Sequence, residues 1–176
     1  MTDSLSVVYL LILVAFLGGA SWFVLRQVLR TRRTELTLTQ LQRKLSQEPG
    51  SPEDYYELGS ILLGKKLFTQ AIFQFQKAFK SKKLDPTSEL AALIHNALGY
   101  AYAAQDQYDL AIRQYKDALK IVPDYVIALK NLAFAYERKQ LTTEAIETYQ
   151  SVLDLDAGNA IAQKRLDVLR KTSLAE

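Results

Sequence analysis

Residues 96–123 read NALGYAYAAQDQYDLAIRQYKDALKIVP, and the same arrangement returns at 130–157 as KNLAFAYERKQLTTEAIETYQSVLDLDA. A further version, YELGSILLGKKLFTQAIFQFQKAF, occupies 56–79. The pair Ala-Ile stands at 71–72, 111–112 and 145–146, and a ring follows three residues after each Ile, as Phe75, Tyr115 and Tyr149. Leu58-Gly59 and Leu98-Gly99 align with Leu132-Ala133, and Tyr102 aligns with Tyr136 where the first copy has Leu62. The second and third copies are 34 residues apart, the first and second 40. A repeat of this period marks stacked helical or strand-turn units, each too small to bury its own apolar face without a neighbour.

The motif resembles the tetratricopeptide repeat, a helix–turn–helix unit with small residues where helices touch and large ones between them. The second copy carries its pattern most fully, as His95, Leu98, Gly99, Tyr102, Ala111, Tyr115, Ala118 and Pro123. Gly99, Ala111 and Ala118 let helix backbones approach, and Tyr102 and Tyr115 fill the space that remains. The first copy keeps Tyr55, Leu58, Gly59, Ala71, Phe75 and Ala78; the third departs most, with Ala133, Val152 and Ala157 in place of Gly, Ala and Pro. The resemblance implies an all-α fold, a right-handed α-solenoid of three helix pairs closed by a capping helix, preceded here by an N-terminal transmembrane helix.

Punctuation supports this division. SPED at 51–54 offers a Ser N-cap, Pro at the first helical position and acids in the first turn. Asp85-Pro86 is expected to open the second repeat in the same way, with the six additional residues lengthening the helices on either side of it. NAIAQKRLDVLRK (159–171) falls in the register of a fourth first helix, expected to turn Gln163, Lys164, Arg165, Asp167, Arg170 and Lys171 to water as a terminal cap. The expected divisions are a tail at 1–4, an anchor at 5–25, a basic helical linker at 26–50, repeats at 51–84, 85–125 (with extended helices) and 126–158, and the cap and tail at 159–176. Leu38, Leu41 and Leu45 in the linker have helical spacing, so TELTLTQLQRKLSQ (34–47) either extends the anchor helix or packs on the first repeat.

Ahead of the repeats, Leu5 to Leu25 is an uncharged run of 21 residues. At about 1.5 Å per residue it reaches roughly 31 Å, the thickness of a bilayer's hydrocarbon core. Tyr9 and Trp22 lie toward its ends, where amphipathic rings settle at the headgroups. A cleaved leader would want a basic start and a shorter apolar core, whereas MTDSLS carries Asp3 and no Lys or Arg, although GGA at 18–20 imitates a cleavage site. An uncleaved single-pass anchor is therefore expected. Arg26, Arg30, Arg32 and Arg33 follow the span and act as a topology signal, keeping the repeats in the cytoplasmic or equivalent compartment.

Charge excludes several classes of function. The net +3 comes from those four arginines less Asp3, since residues 34–176 hold 18 basic and 18 acidic side chains. A nucleic-acid binder would carry the excess on its folded surface. With no cysteine, one histidine and seven glycines, there is no thiolate metal site, phosphate loop or nucleophile motif, and neither catalysis nor a cofactor is expected. His95 stands where the repeat places a large packed residue and reads as a core histidine.

What remains is the inner surface presented by the first helix of each repeat. Its register assigns a protein-binding groove to Tyr56, Ser60 and Leu63, then Asn96, Tyr100 and Ala103, then Lys130, Phe134 and Arg138. The rings offer apolar area at small entropic cost, and the polar groups can hydrogen-bond a peptide. Alternatively some of these rings pack between repeats. The Lys, Asn and Arg set with which chaperone-binding repeats hold a terminal carboxylate is incomplete here.

One span, an arginine-rich exit, three repeats and a short cap, together with ALIHNALGYAYAAQDQYDLAIRQYKDALK and PDYVIALKNLAFAYERKQLT, are similar to the tetratricopeptide photosystem I assembly factor family of cyanobacteria and plastids. That resemblance implies a thylakoid protein with its repeats on the cytoplasmic or stromal side. Its partners would be the lipid bilayer and photosystem I subunits or assembly intermediates, with no nucleic acid. The other reading is a generic single-pass adaptor for assembly of a different membrane complex. A periplasmic repeat chaperone would want positive charge before the span, and an envelope regulator with a metal ribbon would want cysteines.

Overall fold

A computed structural model describes residues 2–173, less the side chains of residues 2–8, 10, 30, 31, 33 and 173. The described residues form eight α-helices and no strand, and the chain divides into two units after Gln47. The first unit is one helix, α1 (Thr2–Gln47). It is the one described helix long and apolar enough to cross a membrane. The apolar side chains from Leu11 to Leu29 that are described all stand exposed, as on a helix that is hydrophobic around its whole circumference. Stretch 34–47 continues this helix without a break.

The second unit stacks α2 (Pro52–Gly64) on α3 (Phe68–Lys80), α4 (Glu89–Ala103) on α5 (Tyr108–Ile121), and α6 (Val126–Arg138) on α7 (Thr142–Leu155). α8 (Ala160–Ser173) packs on α7, and each pair meets the next through its second helix. This is the expected all-α solenoid of three helix pairs and a terminal helix.

Small residues at the helix crossings set how close each pair lies. Phe75, Tyr115 and Tyr149 are buried behind Gly59, Gly99 and Ala133. A Cβ added at Gly59 would stand 2.5 Å from Cε1 of Phe75, and one at Gly99 2.5 Å from Cε1 of Tyr115. One core cluster joins Ala111, Tyr115, Leu132, Ala135, Tyr136 and Ala145; the next joins Leu129, Ala133, Tyr149, Val152 and Leu153 with Ala162 and Leu166 of α8.

Ser51 caps α2 in a reciprocal box: its hydroxyl accepts from the Asp54 N–H at 3.3 Å, and Asp54 Oδ2 accepts from the Ser51 N–H at 2.9 Å. Asp85-Pro86 does not start α4. Asp85 Oδ1 accepts from the N–H and hydroxyl of Thr87 at 2.8 and 2.7 Å, which holds its carboxyl below the usual range, and Ser88 is the N-cap instead. The additional residues sit largely in this connection. α3 has 13 residues against 14 in α5 and α7, and only α4, at 15 against 13 in α2 and α6, is longer than its counterparts. Local side-chain bonding to the backbone at Asp85 competes with helix, and Pro86 supplies no N–H, so the chain turns here.

The turn inside each pair follows one design. Lys66, Asp106 and Gln140 have φ of 61°, 57° and 60°. The N–H of the next residue (Leu67, Gln107 or Leu141) donates to the carbonyl of Leu62, Tyr102 or Tyr136 at 2.9–3.0 Å. The left-handed residue's own N–H reaches Leu63, Ala103 or Glu137. This double bond pattern is the Schellman motif, usually built on glycine. α3, α5 and α7 begin directly after it with no side-chain cap.

Candidate protein-interaction face

α2, α4 and α6 each present one face away from their partner helices, and the nine expected groove residues occupy these helices. Tyr56, Ser60, Leu63, Asn96, Ala103 and Lys130 are half-buried there, whereas Tyr100, Phe134 and Arg138 are exposed. Tyr56, Asn96 and Lys130 are equivalent by repeat register, as are Ser60, Tyr100 and Phe134. Arg138 lies one residue beyond the position shared by Leu63 and Ala103, which Glu137 fills.

Asn96 is the polar centre of this face. Its Oδ1 accepts from Asn131 Nδ2 at 2.9 Å, and its Nδ2 donates to the Tyr125 hydroxyl at 3.3 Å. Burial pushes the Tyr125 hydroxyl's pKa up, and the neighbouring Tyr56 adds to this against the Asn96 hydrogen bond. Tyr56, Asn96, Tyr125 and Asn131 thus line one continuous patch from α2 to α6. Tyr56 also leans on Phe75, ring centroids 6.0 Å apart, so it belongs partly to the packing between helices.

Arg138 points elsewhere. Its Nε donates to the Tyr108 hydroxyl at 3.1 Å and its guanidinium lies 5.6 Å from that ring's centroid, beside the Lys139–Asp109 ion pair at 3.0 Å. Glu137 is held by Arg165 of α8 and accepts from the Tyr149 hydroxyl at 3.3 Å. Arg165 is therefore tied to α6, while Gln163, Lys164, Asp167, Arg170 and Lys171 stand exposed. His95, half-buried, packs against Phe79 at 4.4 Å and pairs with Gln114 at 2.9 Å. Among the described residues no three His, Cys, Asp or Glu side chains gather where they could hold a metal. Of the four arginines that follow the apolar run, Arg26 lies over the Trp22 ring at 5.3 Å and Arg32 is exposed; the side chains of Arg30 and Arg33 lie outside those described.

Comparison with known proteins gives this geometry a family. Residues 99–140 match a TPR repeat profile, and 55–83 and 128–159 match a tetratricopeptide repeat profile. Over 152 residues the chain is 41% identical to the ycf37 protein of Cyanophora paradoxa, spanning 86% of this chain and 87% of that one. The chain belongs to the ycf37 family of tetratricopeptide repeat proteins. This is the family to which the sequence motifs point. The tetratricopeptide repeat domain-containing protein PYG7 of Arabidopsis thaliana, described as chloroplastic, is 35% identical over 95% of this chain, which spans 55% of its length. Among solved structures, the APC/C hetero-tetramer Cut9-Hcn1 superposes with a TM-score of 0.72 at 24% identity, over 81% of this chain and 28% of that one, a likeness of fold.

In this ycf37 family member the sequence reading missed Tyr125 and Asn131, the two partners of Asn96. Both lie within a few residues of Lys130, but their contacts cross 29 and 35 residues of chain. Only stacked helices bring them to Asn96.

Proposed function

We propose that this ycf37 family member is a non-catalytic, membrane-anchored scaffold that promotes assembly or stability of photosystem I by holding its subunits or intermediates. The observation that carries this reading is the pairing of two elements in one chain: a helix whose apolar run from Leu11 to Leu29 stands exposed, and a helical stack with a half-exposed aromatic and amide face. In α1 the run of 21 uncharged residues has the length of a bilayer core, and Trp22 with Arg26 stacked upon it stands where the apolar run gives way to charge. Exit arginines keep the repeats on the cytoplasmic or stromal side of a thylakoid membrane. A single span confines the face to the membrane plane, where the effective concentration of any partner emerging there rises, so a modest affinity suffices.

The groove then comprises Tyr56, Ser60, Leu63, Asn96, Tyr100, Ala103, Lys130 and Phe134, with Asn96 as its hydrogen-bonding centre and Arg138 turned away to Tyr108. Affinity isolation of the intact chain from solubilised thylakoids, with identification of the co-purifying polypeptides, tests the function. Photosystem I subunits are expected in the isolate, and deletion of the gene is expected to lower photosystem I. Recovery of another complex's subunits with an unchanged photosystem I level would replace this reading by the generic adaptor. Protease added to sealed vesicles from the lumenal side is expected to leave the repeats intact; digestion from that side would reverse the topology.

A further inference from the structure

Half of the exposed large apolar side chains described in the solenoid fall into two rows on the first helices of the repeats and α8. Tyr100, Phe134 and Val168 are 51%, 44% and 50% exposed and stand 34 residues apart, at one position of α4, α6 and α8. Ile127 and Ile161, 52% and 68% exposed, form a parallel row seven residues earlier in α6 and α8. Between the two rows stand Lys130 and Lys164, so that α6 presents Ile127-Lys130-Phe134 and α8 presents Ile161-Lys164-Val168 at identical spacing. α8, expected in the register of a fourth first helix with its polar residues turned to water, also repeats the apolar positions of α6. The two helices lie side by side, sharing the core cluster of Leu129, Ala133, Ala162 and Leu166 and the Glu137–Arg165 ion pair.

The charge on this face is unbalanced. Among the described residues neither Lys130 nor Lys164 has an ion-pair partner, whereas Arg165, Arg138 and Lys139 are taken by Glu137, Tyr108 and Asp109. At the other end of the stack, α2 shows exposed Glu53 and Glu57 on the corresponding face. An acidic ligand is therefore drawn to α6 and α8 and turned away from α2.

We infer that the face of α4, α6 and α8 docks an amphipathic helix of a partner protein, carrying two acidic residues, one for each lysine, between flanking apolar positions. This deepens the scaffold reading above and rests on it. The rows are seven residues apart along their own helices, roughly 10 Å, which matches the 10–12 Å width of a helix rather than that of one extended strand. A helix lying across α6 and α8 meets one ammonium group on each, Lys130 and Lys164 at equivalent positions of the repeat. Apolar area supplies the attraction, and the lysines set orientation and partner choice.

The test uses the full chain in zwitterionic lipid nanodiscs, with empty discs subtracted. The probe is a fluorescent 18-residue peptide bearing Glu at positions 5 and 12 flanked by leucines, compared with its Lys-for-Glu version and a version broken by a central proline. The Glu peptide is expected to bind saturably. K130E/K164E is expected to weaken it at least tenfold and to strengthen the Lys peptide, and I161S/V168S to weaken both. The proline peptide is expected to lose at least tenfold. Absence of saturable binding by the Glu peptide, equal affinity for K130E/K164E and the parent, or equal binding of the proline peptide would overturn the proposal. Wild-type recovery of photosystem I subunits by K130E/K164E would sink this face and leave the scaffold function standing. If even the parent chain recovered none while the peptide results held, the function would fall and the docking face remain.

Discussion

Gly59 and Gly99 cost their helices backbone entropy, roughly 0.5–1 kcal/mol each relative to alanine, yet the rings behind them leave no room for a methyl group. Gly99→Ala should lower stability by about 1–3 kcal/mol through overpacking against Tyr115, net of the helix gain, as measured by urea unfolding. Gly64 has nothing within 4 Å of an added Cβ, so Gly64→Ala should raise stability by a few tenths to about 1 kcal/mol in the same assay. These two glycines separate conformational cost from packing. The glycine–ring pairing was legible in the sequence because it recurs in register. The Asn96–Tyr125–Asn131 network was not, because amide partners are fixed by where stacked helices put them and not by any local pattern. Tyr149 carries a second residue-scale consequence. Burial pushes its hydroxyl up to about 12 from an ordinary 10.0. The unfolded chain therefore releases that proton first, so the stability tied to the neutral hydroxyl is complete below pH 10 and lost as pH rises toward 12. Burial raises Tyr115 as well. The unfolding midpoint of the parent should fall across this window, and Tyr149→Phe should flatten the fall in part, with Tyr115 sustaining the rest.

Among elements, the within-pair turns are the least conventional. An L-residue in left-handed geometry costs about 1–2 kcal/mol, and Lys66, Asp106 and Gln140 each accept that cost to complete the Schellman hydrogen bonds. Gln140→Gly should therefore stabilise the chain by about 1 kcal/mol, visible as a shift of the urea midpoint at constant slope; Gln140→Val should do the opposite. No glycine or asparagine advertises these turns, which is why the sequence located the helices on either side but not the motif between them. SPED was readable because cap, proline and acids all agree. Asp85-Pro86 offered the same letters, yet there the Asp bonds to Thr87 and Ser88 takes the cap. Two candidate caps three residues apart are decided by which side chain finds the first free N–H of the helix. The terminal helix misled in another way: its many charges concealed Ile161 and Val168, which matter only once α8 is seen to repeat the face of α6.

At the scale of the molecule, repeat register carried the fold almost entirely, because a stack needs only that each pair match its neighbours. The candidate face was legible to the extent that it follows this register. Arg138, one position out, turns to Tyr108 instead. α8 is structurally indispensable to the last pair, since Ala162 and Leu166 complete the cluster around Leu129, Tyr149 and Val152. A chain ending at residue 158 should lose several kcal/mol, the scale of burying two or three large apolar side chains, and α6–α7 should lose amide exchange protection before α2–α3. The same closure has a bearing on synthesis. Helix pairs that touch only their neighbours in sequence can settle one after another as they leave the ribosome, without waiting for distant sequence. Each pair stays open-sided until the next helix has been made, α6–α7 until α8 follows, so the newest part of a growing chain is also the part most exposed to the wrong neighbour.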